Sequence, residues 1–112
     1  MKRLLLLLAL SALIFIGCGV PSDSKYQIKV SGTAGLEFSG SYMVVTTEGK
    51  STSKSVDGRV PASYTVEGHI VSVVFQKKGD IGFLKVEILK NGEAVGSEST
   101  TADYGLVTVA TN

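Results

Sequence analysis

His69 is the only histidine in this chain of 112 residues, so proton transfer near neutral pH would centre on it. A serine hydrolase needs such a histidine beside a serine and an aspartate. Serines are abundant, and the aspartates that could complete a triad are Asp57, Asp80 and Asp103. Their spacing favours no triad, and the sequence has neither a nucleophile elbow nor a phosphate-binding loop. We therefore expect no catalytic residue and a protein that is not an enzyme.

The sequence also gives little support for metal binding. Glu67 and His69 are two residues apart, so on a β-strand they would share a face and offer two ligands. A useful metal site needs three or four ligands, and no further cluster completes one. Glu37 and the other scattered carboxylates are interpreted as solvated charges rather than as a glycosidase pair. We therefore predict neither a metal nor a cofactor.

Two tyrosines, Tyr64 and Tyr104, could serve a carbohydrate site by stacking on sugar rings. The interpretation that we favour is structural. Both rings are expected to cap the hydrophobic core, and the DYG run at 103–105 resembles the tyrosine corner that braces many β-sandwiches.

The strongest chemical signal lies at Cys18, the only cysteine. Two cations precede an apolar run at 4–16 whose only polar member is Ser11, and the small residue Gly17 follows. This order is typical of a secretory signal. The ending IGC resembles a bacterial lipobox, in which the cysteine receives a diacylglyceryl group and becomes the new N-terminus after cleavage. We therefore predict that Cys18 binds membrane lipid and that the protein lies in the cell envelope, facing the periplasm or the exterior.

This interpretation divides the chain into a signal peptide at 1–17, a lipidated cysteine with a flexible tether at 18–24, and one domain at 25–112. The alternative is a signal that is kept as a transmembrane helix. As a helix the run at 4–16 spans roughly 20 Å, which is short of the roughly 30 Å hydrocarbon core of a bilayer. Two or three acyl chains on Cys18 would give stable attachment without a spanning helix.

The charge balance of the domain excludes one class of partner. Once Lys2 and Arg3 leave with the signal, nine basic residues face ten acidic ones, so the net charge is about −1. Such a domain has no basic field to attract nucleic acid. With its one cysteine in a lipid bond it also has no disulfide, and it depends on a well-packed core.

Apolar and polar residues alternate with period two from Lys25 onward, and no segment shows the 3.6-residue period of a helix. The domain is therefore expected to be all-β. Gly40 interrupts the second predicted strand, where a bulge or bend is cheap. The positions predicted to face the core are Tyr26, Ile28, Val30, Leu36, Phe38, Tyr42, Val44, Val71, Val73 and Phe75.

The polar segments between these strands are interpreted from their composition. Residues 51–56 contain one aliphatic side chain and are interpreted as an exposed edge strand or a loop. Pro61 cannot donate a ladder hydrogen bond, so 59–67 should cross between sheets or follow an edge. The run KKGD at 77–80 is expected to close the strand at 69–77 as a turn.

The clearest local signal is the Asn-Gly dipeptide at 91–92, because both residues tolerate the positive φ angles of a type I′ turn. A regular hairpin around it pairs Ile88 with Val95 on the inner face. The same register pairs Lys90 with Glu93, which are opposite charges on the outer face.

Seven or eight short strands separated by regular turn signals are typical of a two-sheet antiparallel sandwich. We therefore predict an all-β fold, a small antiparallel two-sheet β-sandwich (Ig-like) of about seven strands. A small barrel is the alternative.

A set of short motifs carries a resemblance to a known family. They are YQIKVSG at 26–32, Tyr42, VP at 60–61, GDIG at 79–82, VEI at 86–88, NG at 91–92, Val95 and YGLV at 104–107. In these motifs the chain resembles the β domain of the MmpS family, small membrane-anchored accessory proteins of the RND-type lipid and siderophore exporters of mycobacteria. Two features depart from the family, since its cysteine pair is absent and a lipobox replaces its spanning helix.

The resemblance implies a non-catalytic accessory domain that docks on a transporter subunit. A lipid anchor is consistent with this function, because it concentrates the domain near membrane partners. The alternative function is a ligand- or carbohydrate-binding lipoprotein, or a peptidase-inhibitor-like module. The sequence leaves the oligomeric state open.

Overall fold

The structure, a computed structural model, describes residues 22–111. Cys18, the predicted signal at 1–17 and most of the predicted tether lie outside the described residues. Within 22–111 the chain forms strands, and no helix there is long and apolar enough to cross a membrane. The strands are β1 (Ser24–Gly32), β2 (Glu37–Val45), β3 (Ser51–Arg59), β4 (Ala62–Gly68), β5 (Ile70–Lys77), β6 (Leu84–Lys90), β7 (Glu93–Thr100) and β8 (Leu106–Ala110).

These strands form two four-stranded antiparallel sheets. One sheet has the order β4-β1-β6-β7 and the other the order β3-β2-β5-β8. The predicted two-sheet sandwich is therefore confirmed, with eight strands where about seven were expected. The segment 51–56 belongs to edge strand β3, and the chain crosses from one sheet to the other at Val60 and Pro61, as the sequence predicted for 59–67.

The core lies between the two sheets because the alternation places every second side chain on an inner face. Phe38 of β2 and Phe75 of β5 are fully buried, and their ring centroids lie 5.0 Å apart. Burying a large apolar side chain stabilises a fold by about 1.5–3 kcal/mol. Of the residues predicted to face the core, Leu36 and Tyr42 are partly buried and the others are buried.

The sandwich has two ends, because connections between antiparallel strands alternate from one end to the other. The entry end, where the chain enters β1, also holds the connections at 46–50, at His69 and at 91–92. The tip is the opposite end, and it holds the connections at 33–36, 60–61, 78–83 and 101–105. The start of the described chain is fastened to the entry end, because Asp23 Oδ1 accepts a hydrogen bond from Thr47 N at 2.9 Å.

The hairpin between β6 and β7 confirms the turn and corrects the register. Asn91 and Gly92 have φ angles of 54° and 78°, and Lys90 pairs with Glu93 as predicted. The predicted pairing of Ile88 with Val95 is wrong, since a register shift beside Ile88 places Gly96 opposite it and leaves Val95 47% exposed.

The register shift has a physical reason in the packing of β8. A Cβ atom on Gly96 would lie 2.8 Å from Cγ1 of Val109, which is closer than carbon atoms approach in proteins. Only glycine therefore fits at the inner position opposite Ile88. The bulge at β7 brings Gly96 to that position and turns Val95 outward.

Gly40 has a different role from the predicted bulge. The registers of β2 with β3 and with β5 run through Gly40 without a shift. A Cβ atom there would collide with the carbonyl oxygen of Val74 on the neighbouring strand. The glycine therefore permits close approach of two backbones inside a regular sheet.

Candidate functional site

The residues weighed for a hydrolase triad lie far apart. His69 forms the connection between β4 and β5 at the entry end, where it is exposed. Asp57 lies near the tip end of β3, while Asp80 and Asp103 lie on connections at the tip. The eight residues of β5 separate the two ends by about 26 Å, since a strand rises about 3.3 Å per residue. His69 is therefore out of reach of these three aspartates.

The carboxylates weighed for metal binding or glycoside chemistry are surface groups. Glu67 and His69 are both exposed. Glu37 is also exposed, and its Oε1 lies 3.4 Å from Nη2 of Arg59 in a surface ion pair. Among residues 22–111, no group of three or more His, Cys, Asp and Glu side chains is arranged to hold a metal ion.

Tyr64 takes the structural role that the sequence predicted. Its ring centroid lies 6.3 Å from that of Phe75 and 5.9 Å from that of Tyr42, so it covers the core from β4. Burial raises the pKa of Tyr64, and the nearby Tyr42 hydroxyl raises it further.

Tyr104 does not cap the core, and that prediction is wrong. Its side chain is 61% exposed, and its hydrogen bonds to the fold run through its backbone. Its N donates to Gly79 O at 2.8 Å, and its O accepts a hydrogen bond from Gln76 Nε2 at 3.0 Å. These bonds hold Tyr104 at a φ of 51°, a left-handed angle that is uncommon for a tyrosine. Left-handed angles at residues other than glycine cluster at functional sites.

Lys77 is the residue that the sequence reading missed. It was predicted where the strand at 69–77 meets the KKGD turn, and it is the last residue of β5, but the full burial of its side chain was not predicted. Its Nζ donates to Gly82 O at 2.7 Å and lies 3.3 Å from Thr101 O, and among residues 22–111 no carboxylate accepts a hydrogen bond from it. The available signal was parity, because Lys77 continues the inward series of Val71, Val73 and Phe75.

The buried ammonium group of Lys77 joins two connections at the tip. One partner carbonyl belongs to the β5–β6 connection at 78–83, and the other belongs to the β7–β8 connection at 101–105. Removing a lysine from water is costly unless hydrogen bonds replace the lost solvation. The backbone bond from Tyr104 N to Gly79 O ties the same two connections at a second point. These bonds therefore tie the two connections to each other and to the core.

These two connections carry a matched pair of surface motifs. Each has an aspartate followed by an exposed apolar residue: Asp80 precedes Ile81, which is 78% exposed, and Asp103 precedes Tyr104. We call these four residues the tip surface. The ion pairs formed within 22–111 are Arg59 with Glu37 and Lys78 with Asp57, so neither aspartate of the tip surface is neutralised by one. Lys78 beside them already pairs with Asp57 at 2.8 Å, and this hydrogen bond and the charge of the carboxylate raise the pKa of Lys78.

A groove lies between the edge strands β3 and β4. Its volume is about 280 Å³, and it opens toward solvent. Its apolar wall comes from Tyr42, Val44 and Val66, while Lys54 and Glu67 stand among its polar residues. It is slightly smaller than typical small-molecule sites, which start near 300 Å³.

Comparisons with known proteins add no assignment to these features. No protein-family model matches the chain. No curated protein matches it either.

Proposed function

We propose that the chain is a lipoprotein of the cell envelope, anchored through lipid on Cys18, whose non-catalytic β-sandwich serves as an accessory domain for a membrane protein. The resemblance to the MmpS family favours a subunit of an RND-type transporter as that protein. The supporting observation is that the two ends of the sandwich differ. The described chain begins at the entry end, and the exposed apolar side chains of the tip surface lie at the other.

This arrangement suits a tethered accessory domain for a physical reason. An anchor that leads into the entry end leaves the tip surface unobstructed for a partner. Confinement at a membrane also raises the effective concentration of the domain for proteins in the same membrane, so that a modest affinity is enough. Two or three acyl chains on one cysteine supply that confinement.

The experiment determines whether Cys18 carries lipid and which proteins lie next to this protein in the membrane. Mass spectrometry of the protein purified from native membranes should show a lipid-modified Cys18 as the first residue. Chemical crosslinking in the same membranes should recover a transporter subunit, and a Cys18→Ser variant should lose that product. An intact Met1 would contradict the lipid anchor, and recovery of only the lipid-anchored monomer would contradict the accessory function.

A ligand-binding lipoprotein, including one that binds carbohydrate, is the second candidate, and the groove between β3 and β4 favours it. The groove holds one partly exposed aromatic ring, that of Tyr42, above an apolar wall. Saturable quenching of tyrosine fluorescence by an oligosaccharide or amphiphile, lost in Tyr42→Leu and kept in Tyr104→Leu, would support this candidate. Equal loss in both variants would reject the groove as the binding site.

A further inference from the structure

We propose that the tip surface binds a partner protein through an apolar cleft that is bordered by Lys or Arg side chains. This inference rests on the proposed function for the existence of a protein partner. It specifies which residues of this chain make the contact and which types of residue the partner presents to them. The four residues of the tip surface are Asp80, Ile81, Asp103 and Tyr104.

Ile81 and Tyr104 form the apolar part of the tip surface. A single exposed apolar side chain is common on protein surfaces and needs no explanation. Here two of the most exposed large apolar side chains, at 78% and 61%, stand on connections that are hydrogen-bonded to each other. Tyrosine is enriched among the residues that carry most of the energy of protein interfaces. The pair therefore has the composition of an interface anchor.

Hydrogen bonds fix the backbone on both sides of Asp80 and Ile81 and at Tyr104 before any partner binds. Lys77 joins the two connections from inside the core, and the bond from Tyr104 N to Gly79 O joins them at the surface. A surface that is already ordered loses less conformational freedom on binding, so more of its contact energy appears as affinity. A left-handed backbone angle at Tyr104 and a buried lysine are both unfavourable in isolation, and both serve to fix this surface.

The charges of the tip surface indicate which kind of partner it binds. Asp80 and Asp103 are exposed, and each immediately precedes one of the two apolar residues in the chain. Lys or Arg side chains around an apolar cleft would complement these carboxylates. An anionic lipid surface would repel them. A second copy of the tip surface would place like charges against each other. The chemistry therefore favours a protein with a basic border.

Site-specific photocrosslinking in the full-length chain tests this inference. The photoreactive residue benzoylphenylalanine replaces Ile81 in one strain and Val95 in a matched control strain. Val95 is also an exposed apolar residue, at 47%, but it lies near the entry end. We expect an adduct with one membrane protein from position 81 and none from position 95. The crosslinked peptide, sequenced by mass spectrometry, should contain apolar residues with Lys or Arg nearby.

Charge reversal supplies the second arm. In the strain with the photoreactive residue at 81, Asp80→Lys combined with Asp103→Lys should lower the adduct yield by about tenfold or more. Glu93→Lys, an exposed carboxylate at the entry end, should leave it unchanged. Thermal unfolding of each purified variant checks that these surface substitutions preserve the fold.

Several outcomes would overturn the inference. They are an adduct with twice the mass of the chain, which is a second copy, an adduct with phospholipid, and equal adducts from positions 81 and 95. An adduct yield that charge reversal leaves unchanged would also overturn it. An adduct with a transporter subunit from position 95 alone would reject the tip surface and keep the proposed function. Absence of protein adducts from both positions, together with the absence of a transporter subunit after chemical crosslinking, would reject both.

Discussion

Asn91 holds a backbone φ angle of 54°, which few residues besides glycine tolerate. An Asn91→Val substitution would force a β-branched residue into this conformation. We expect it to lower the free energy of unfolding by about 1 kcal/mol or more. Urea unfolding of the two proteins measures the difference. Asn91→Gly is the matched control, since glycine adopts this angle freely and should unfold at nearly the same urea concentration as the wild type.

An unchanged midpoint for Asn91→Val would contradict the turn as described. Equal losses in the valine and glycine variants would instead indicate that the asparagine side chain, rather than its backbone angle, stabilises the hairpin.

Tyr64 gives the domain a dependence on alkaline pH. Burial, and to a smaller extent Tyr42, raises the pKa of Tyr64 above its ordinary value of 10.0. The folded state therefore keeps this proton at pH values where the unfolded state has lost it, and stability falls as the pH rises through this range. Below pH 10 the contribution is fully present. Unfolding measured at several values from pH 8 to pH 11 should show a smaller decline in Tyr64→Phe than in the wild type.

Parallel declines in the wild type and the variant would show that other groups cause the pH dependence. Tyr104→Phe is the control, because its exposed ring should leave the wild-type decline unchanged.

At the scale of elements, Lys77 links one strand to two connections. Lys77→Met keeps most of the volume of the side chain but removes the donor to Gly82 O and Thr101 O. Replacing a buried charge by an apolar side chain often changes global stability little, so we expect a change within about 2 kcal/mol. Amide hydrogen exchange at Tyr104 should become faster, since its bond to Gly79 O is then the main remaining tie between the connections.

Lys78→Met provides the comparison, because that lysine lies next in the chain and its amine is exposed in a surface ion pair. Exchange at Tyr104 should stay slow in this variant. Slow exchange in Lys77→Met as well would contradict the role assigned to the buried ammonium group.

The strands could be predicted because their information is local. Alternation along 26–30 and 71–75 determines which side chains enter the core, and the Asn-Gly dipeptide at 91–92 determines a turn. The pairing of Ile88 could not be predicted in this way, because β8 decides it. Val109 lies 13 residues beyond Gly96 in sequence and 2.8 Å from where its Cβ would be, and no local pattern records that contact.

At the scale of the whole molecule, the candidate site was less predictable than the fold. The sequence interpretation gave Lys77 no place in the core and placed Tyr104 over it, whereas the Lys77 side chain is buried and Tyr104 is exposed. In the sequence alone, Lys77 and the GDIG run at 79–82 are typical of a surface loop. The hydrogen bonds of Lys77 and Tyr104 depend on how 78–83 meets 101–105, which follows from strand order rather than from either segment alone.

The attachment of the tip to the core by Lys77 has a thermodynamic consequence. Because Lys77 at the end of β5 binds both connections from inside the core, we expect the tip surface and the sandwich to unfold as one cooperative unit. A molecule that binds the folded tip must then shift the unfolding equilibrium of the whole domain, by about 2.7 kcal/mol at a concentration 100 times its dissociation constant. The melting temperature of the sandwich is thereby a direct readout of occupancy at its far end.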